Sequence, residues 1–492
     1  MLFNSYIFIF LFLPVALLGW YILNHFKAYK LSQIFLCAMS LWFYAYFHIS
    51  YLFILMGSIL INYLLSLILA KKQSKTSTII VKTSGIVLNL GILFVFKYYD
   101  FFIDSVNHLF ASDLPFLNIL LPLGISFFTF QQMSYILDRC SGKASHENLL
   151  DYTTFVSFFP QLIAGPIVRP NEFLPQIKDY SKRLFNRESF QKGCLYFIYG
   201  LFKKVILADN IGRIVDTGYA NIAALDTPAA FLVMIAYTMQ LYFDFSGYSD
   251  MAIGLGYMFG IELPENFDEP FKSIHMQEFW NRWHITLGRF FTSYVYIPLG
   301  GSRRSAPRTY LNIFIIFLLS GIWHGANWTF ILWGIMQGIF VIAARMLRNR
   351  FVKIKGKLII FLLQTHNFIL FSLSLILFRS PSLSDSGLFF QRLFSFESYH
   401  ATSYLAYQID YSELWLPNKL FTGPLSQYQT QYREGTLIII IIIGLLILCS
   451  KGVKRRVAAS KYNLLTAIGA ALLLLWSVIS FSGVTTFLYF NF

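Results

Sequence analysis

Two histidines stand out by their surroundings. His284 sits in the stretch EFWNRWHITLGRFF and His324 in FLLSGIWHGANWTFILWG. Each directly follows a tryptophan, and 40 positions separate them. An imidazole titrates near neutral pH, so it can take a proton from a hydroxyl and hand it on; it is the side chain best suited to general acid–base work. Placing one in an apolar run is costly unless a partner or a task justifies it. A metal site is the first rival chemistry. Two histidines at this separation, with no HExxH and no carboxylate at ligand spacing, argue against it, and no metal is expected. No GxSxG elbow, Walker A loop or dinucleotide-binding GxGxxG occurs in the setting its chemistry needs. His25, His48, His108, His146, His366 and His400 lie near segment ends, in loops or alone on apolar faces, and read as interfacial or hydrogen-bonded residues. His275 lies in a polar stretch and stays a candidate.

The elements that must hold these residues are membrane helices. The 492 residues are 56% hydrophobic and only 13% charged, with a mean hydropathy of +0.58. That balance belongs to a polytopic membrane protein, with the lipid bilayer as its environment. The net charge of +15 lies in short basic clusters between apolar runs. Cytoplasmic loops look like this, and nucleic acid is set aside as a partner. Cys37, Cys140, Cys194 and Cys449 are scattered and signal neither a disulfide framework nor a zinc site. The opening SYIFIFLFLPVALLGWYIL has no preceding basic residue and no small-residue cleavage site, so it reads as a first transmembrane helix rather than a removable signal.

The basic clusters order the spans. Residues 31–70 hold no charge and are flanked by Lys27 and Lys30 on one side and Lys71, Lys72 and Lys75 on the other. Two helices with both outer ends in the cytoplasm fit this run, which puts the N-terminus outside. Carried on by parity, the pattern predicts an all-α protein of about 11 transmembrane helices, with re-entrant segments between Asp138 and Arg187. A single membrane domain covers 1–492, with an external loop over 379–435 and an external C-terminal tail over 482–492. His324 lies in a run of 36 residues, 309–344, without Asp, Glu, Lys or Arg. Arg303, Arg304 and Arg308 precede the run; Arg345, Arg348, Arg350, Lys353, Lys355 and Lys357 follow it. The chain must therefore go in and come back, with His324 roughly 24 Å along the first arm. Gly321, Gly325 and Asn327 supply turn chemistry beside it.

His284 closes a different stretch, ELPENFDEPFKSIHMQEFWNRWH, too polar to span lipid. Irregular backbone at membrane depth is tolerated only when buried in protein or lining a cavity, so a wet chamber is expected there. Asp244, Asp250, Glu265, Asp268, Glu269 and Glu278 are expected to be structural groups paired with Arg282, Lys272 or Arg289. The glycine-rich GLGYMFG at 254–260 reads as helix packing.

FWNRWHITL and IWHGANWTF together resemble the signature of the membrane-bound O-acyltransferase family. FFTFQQMSYILD (127–138), FFPQLIAGPIVRP (158–170), QLYFDFSGYSDMAIGLG (240–256) and YVYIPLGG (294–301) resemble its bacterial polysaccharide-acetylating branch. The resemblance runs through most of the chain. It implies a ring of tilted helices around a central funnel, and acyl transfer from a cytoplasmic thioester to a hydroxyl. Acetyl-CoA is the implied donor, with no tightly bound cofactor. His324 matches the family's catalytic histidine and His284 its second histidine. His284, Asn281, Asn327 and Trp323 are all candidates for supporting contacts, with no choice among them. One departure is visible: Thr292-Ser293 stand where bacterial relatives often carry Arg-Asp.

The donor is cytoplasmic and the implied acceptor, a polysaccharide, is external. The chain closes on FLYFNF, which holds Tyr489 among Phe487, Phe490 and Phe492. Tyr489 reads either as an aromatic-belt residue or, by resemblance to an F-x-Y-x-x-F C-terminal motif of this branch, as a temporary acyl acceptor. The resemblance further implies an SGNH-hydrolase-like partner acetyltransferase and a bacterial cytoplasmic (inner) membrane location. Two other classes stay in view: a transporter or flippase of a polysaccharide precursor, whose paired repeats with matching broken helices the sequence lacks, and a scaffold that recruits soluble transferases.

Overall fold

The structure, a computed structural model, describes residues 1–71, 74–347, 351, 356–398, 401–409, 412–483 and 487–488. Apolar runs in lipid have no water to satisfy their backbone groups, so they close those bonds within helices. Among the described residues eight helices are long and apolar enough to cross a membrane: Phe8–His25, Ile49–Leu69, Lys75–Phe110, Thr227–Met258, Ala306–His324, Trp328–Met346, Lys357–Arg379 and Ser426–Cys449. Leu464–Ile479 is a shorter apolar helix. Other segments of the sequence count, such as Tyr29–Ala45 and the almost wholly buried Ile125–Cys140, are shorter helices packed among the long ones. Among the described residues the one extended pairing is an isolated antiparallel bridge between Phe267 and Trp283, inside the polar stretch. Among its described residues the segment 379–435, expected as an external loop, holds short helices, Leu383–Leu393, Ala401–Ala406 and Trp415–Thr422. The span that follows begins at Ser426, ahead of the isoleucine run.

Thr227–Met258 is the axis of the molecule. It is 32 residues long and buried along most of its length. Arg187–Phe202 lies against it backbone to backbone. A Cβ on Gly200 would stand 2.5 Å from the Gly247 carbonyl oxygen, and one on Gly254 2.6 Å from that of Gly193. Small residues allow helices in lipid to approach this closely, and that approach supplies the packing that water-driven burial supplies elsewhere.

Charges inside this core are paired. Lys204 Nζ lies 2.6 Å from Asp244 and 2.8 Å from Asp209, and Lys203 Nζ lies 2.6 Å from Asp250. The two lysines are consecutive, yet both reach carboxylates of the core. They open a π-helical stretch, Lys203–Ala208, whose wider turn changes which side chains face inward.

Gly254→Val should therefore lower the thermal unfolding midpoint in detergent, costing at least about 1–3 kcal/mol through overpacking. Gly387→Ala, at a helical position with open space around it, should be neutral or slightly stabilising; equal behaviour of the two variants would contradict the close packing.

Candidate active site

The hairpin read from the basic clusters is present. Ala306–His324 runs in, residues 325–327 turn, and Trp328–Met346 runs back. His324 is the last residue of the inward helix and only 3% exposed. Its ring stands 5.2 Å from Trp333 and 5.1 Å from Phe378, edge-on to both, and 5.0 Å from its neighbour Trp323. Asn327 has a different task. Its Oδ1 accepts the Thr329 N–H at 3.0 Å and so caps the outgoing helix, and its Nδ2 donates to the Pro381 carbonyl at 2.8 Å. Both ends of the amide are engaged in holding the turn.

His284 reaches the same place from the polar stretch. It precedes the short helix Ile285–Phe291 with φ +46°, in the left-handed region that a non-glycine residue rarely adopts. Such a conformation persists only where its surroundings impose it, and it is common at functional sites. Asn266 imposes it here. The Asn266 carbonyl accepts the Ile285 N–H at 3.0 Å, and its Oδ1 accepts the Thr286 N–H at 3.3 Å. A backbone N–H can only donate, so this contact identifies the amide oxygen. His284 Nδ1 lies 3.1 Å from that oxygen. Nδ1 must then carry the proton, and Nε2 is left with its lone pair. The Thr286 hydroxyl completes the arrangement: it accepts the Ile167 N–H at 3.0 Å and donates to Asn266 Oδ1 at 3.0 Å.

The fold thus brings the two histidines together, with ring centroids 6.4 Å apart. Trp323 forms the adjoining wall; its indole packs against Phe127 and Phe130 and lies 6.0 Å from the His284 ring. A cavity of about 600 Å³ leads to this point. Its lining includes His284, the exposed Asn281, and Ser320 one turn before His324, but not His324 itself. Arg169, Arg289 and Arg345 make the cavity basic. Arg289 pairs with Glu172 at 2.7 Å, and Arg169 donates to the Ser293 hydroxyl at 2.7 Å. The departure at Thr292-Ser293 therefore gives Arg169 a neutral partner.

The carboxylates of the polar stretch are largely structural. Glu278 pairs with Arg282 at 2.9 Å and Glu269 with Lys272 at 2.8 Å. Glu265 accepts the Tyr196 hydroxyl at 2.8 Å. His275 Nδ1 accepts the Glu278 N–H and caps the helix Met276–Trp280. Sequence reasoning weighed these acids and passed over Asn266 between them. Its only signal was an amide within a chamber expected to be wet, since no spacing rule ties it to a histidine 18 positions on. Tyr489 lies outside the described residues. Just before it the tail is folded inward: Phe487 is buried, its ring 4.4 Å from Tyr248 and 4.6 Å from Lys204 Nζ, and the Leu488 N–H donates to Asp244 at 3.1 Å.

Nitrogen-labelled His284 should show a protonated Nδ1 and an unprotonated Nε2 by solid-state NMR, and Asn266→Ala should abolish that preference. The opposite tautomer in the wild-type chain would contradict the assignment.

The model of the membrane-bound O-acyltransferase family matches residues 43–380, which enclose both histidines. The chain is 41% identical over 415 residues to a peptidoglycan O-acetyltransferase of Helicobacter pylori, covering 78% of each protein. It is 40% identical over 402 residues to the Azotobacter vinelandii protein named probable alginate O-acetylase AlgI, covering 80% of this chain and 78% of that one. A teichoic acid D-alanyltransferase of Bacillus subtilis is 30% identical over 262 residues, 49% of this chain and 65% of its own. Acyl transfer is thereby favoured over the transporter and scaffold readings. A multi-pass helical membrane protein with paired histidines at the end of a basic cavity, and with relatives of this identity, the chain belongs to the membrane-bound O-acyltransferase family and is an O-acyltransferase.

Proposed function

We propose that this enzyme takes an acetyl group from cytoplasmic acetyl-CoA and delivers it across the membrane for O-acetylation of an extracytoplasmic or cell-wall polysaccharide. The observation that carries the reading is the meeting of His324 and His284 at the end of a basic cavity. The arginines suit the phosphates of a CoA thioester, and Arg345 belongs to the basic cluster that marks the cytoplasmic side. His324 acts as general base. Its imidazole takes the proton of the attacking hydroxyl as the oxygen bonds to the thioester carbonyl carbon. The carbon–sulfur bond then breaks, and the thiolate leaves with the proton returned by the imidazolium. General base catalysis supplies only about 10²–10⁴-fold. Positioning of the thioester and hydrogen bonds to the developing oxyanion provide the remainder.

The first acceptor in this reading is the Tyr489 hydroxyl, entering from the outer side. The inward fold of Phe487 and Leu488 supports it. So does the fact that Asp244, which holds Leu488, is followed in the same helix by Phe245, whose ring lies 4.7 Å from that of His284. The acetyl ester on Tyr489 then passes to an SGNH-hydrolase-like partner and on to a sugar hydroxyl. Two relatives named for peptidoglycan and alginate O-acetylation support a polysaccharide as the final acceptor, and a bacterial inner membrane is the location this chemistry requires.

Purified protein in vesicles, given labelled acetyl-CoA, should transfer label to itself or to an added acceptor. His324→Ala should reduce transfer by at least about 100-fold; undiminished transfer would remove His324 as the base. Tyr489→Phe should abolish both label on the chain and polysaccharide acetylation in cells, whereas normal acetylation in that variant would leave direct transfer in place of the relay.

A further inference from the structure

The helix that ends at His324 has a problem that its own residues do not solve. The last carbonyls of a helix have no intrahelical donor, and at this depth water does not supply one. Gly325 leaves the helix extended, at φ −163°, rather than in the left-handed conformation that would turn an N–H back onto those carbonyls. The partners come from 226 residues earlier in the sequence. Lys97 Nζ donates to the Trp323 carbonyl at 2.6 Å and to the His324 carbonyl at 3.1 Å. The Tyr98 hydroxyl donates to the Ile322 carbonyl at 2.8 Å. Three consecutive carbonyls at the end of the helix are thus held by two consecutive side chains.

The local structure around Lys97 fits this task. In a regular α-helix, neighbours point about 100° apart and do not converge on one target. Lys97 and Tyr98 close a π-helical turn, Phe94–Tyr98, within the long span Lys75–Phe110. π turns widen the helix and occur where a side chain must be re-aimed, often at functional sites. The Lys97 amino group also sits 5.9 Å from the centroid of the Trp323 ring, and a basic group at a helix C-terminus complements the negative end of its dipole. An ionisable side chain inside an apolar span is costly and is retained for a reason.

We propose that Lys97, assisted by Tyr98, is a positioning residue that clamps the end of the His324 helix and so holds the imidazole where the acyl donor meets it. The proposal rests on the reading of His324 as the base. Its prediction differs from that of a merely structural contact. Loosening the clamp displaces the base while leaving the donor cavity intact, so it lowers kcat and spares KM. A misplacement of about 1 Å can cost on the order of 10²-fold in rate.

The test uses the full chain in vesicles with labelled acetyl-CoA as the probe, following loss of label from the thioester. Lys97→Met, Lys97→Arg, Tyr98→Phe and His324→Ala are measured together, each with its thermal unfolding midpoint. Lys97→Met should lower kcat by about 10–100-fold with KM for acetyl-CoA within about 2-fold. Lys97→Arg, which keeps the donors, should restore most of the loss, and Tyr98→Phe should lower kcat by about 3-fold. A folded Lys97→Met variant with wild-type kcat, or a Lys97→Arg variant as impaired as Lys97→Met, overturns the clamp. If Lys97→Met does not fold, Tyr98→Phe decides, and wild-type kcat there overturns it equally. His324→Ala separates the two ideas: full activity in that variant brings down the base reading and the clamp with it. An inactive His324→Ala beside an unimpaired Lys97→Met brings down the clamp alone.

Discussion

The bilayer offers no water to a stray polar group, and the architecture follows from that constraint. Each carbonyl, amide or charge buried at membrane depth must find its partner within the protein or lose several kcal/mol. Lys204 is held between Asp209 and Asp244, and Lys203 against Asp250. Pairs of this kind contribute little net stability over an apolar core, but breaking one leaves an uncompensated charge. They therefore constrain how the central helix and its glycine-packed neighbour sit against each other.

The same constraint shapes the two histidines differently. His284 is fixed from within its own neighbourhood, through Asn266 and the Thr286 hydroxyl, which set both its tautomer and its strained backbone. His324 is fixed by its position at the end of a helix. The carbonyls around it are satisfied from the N-terminal part of the chain, and the turn beyond it is held by Asn327. Aromatic rings pack beside these polar contacts: Trp323 lies against His284, and Trp333 and Phe378 against His324. Such a site is preorganised: its groups do not need to rearrange when charge develops.

The tail ties the far end of the chain to this centre. Phe487 and Leu488 contact Lys204, Tyr248 and Asp244, all in or beside the charged core of the central helix. A charged pair inside the membrane thus provides a docking point for a chain end as well as a structural contact, since Asp244 has one oxygen on Lys204 and the other on the Leu488 amide.

Much of this was legible in the residues themselves. The spacing of arginines around 309–344 located a hairpin whose arms are Ala306–His324 and Trp328–Met346. The polar stretch before His284 announced backbone that could not lie in lipid. These features are local, because hydropathy, charge bias and turn residues act within a few turns of chain. The segment 379–435 was less legible: its short helices lack a long apolar run, and composition alone does not distinguish them from loop. What only the tertiary structure decided was who meets whom. The 6.4 Å approach of His284 and His324, the Asn266 side-chain oxygen on the His284 Nδ1, and the placing of Lys97 at the end of a helix hundreds of residues away all depend on long-range packing. Asn327, beside His324 in sequence, is directed instead to Pro381 for the same reason. A sequence names the residues able to do chemistry, because that ability lies in the side chain; it does not state their distances, which arise from long-range packing.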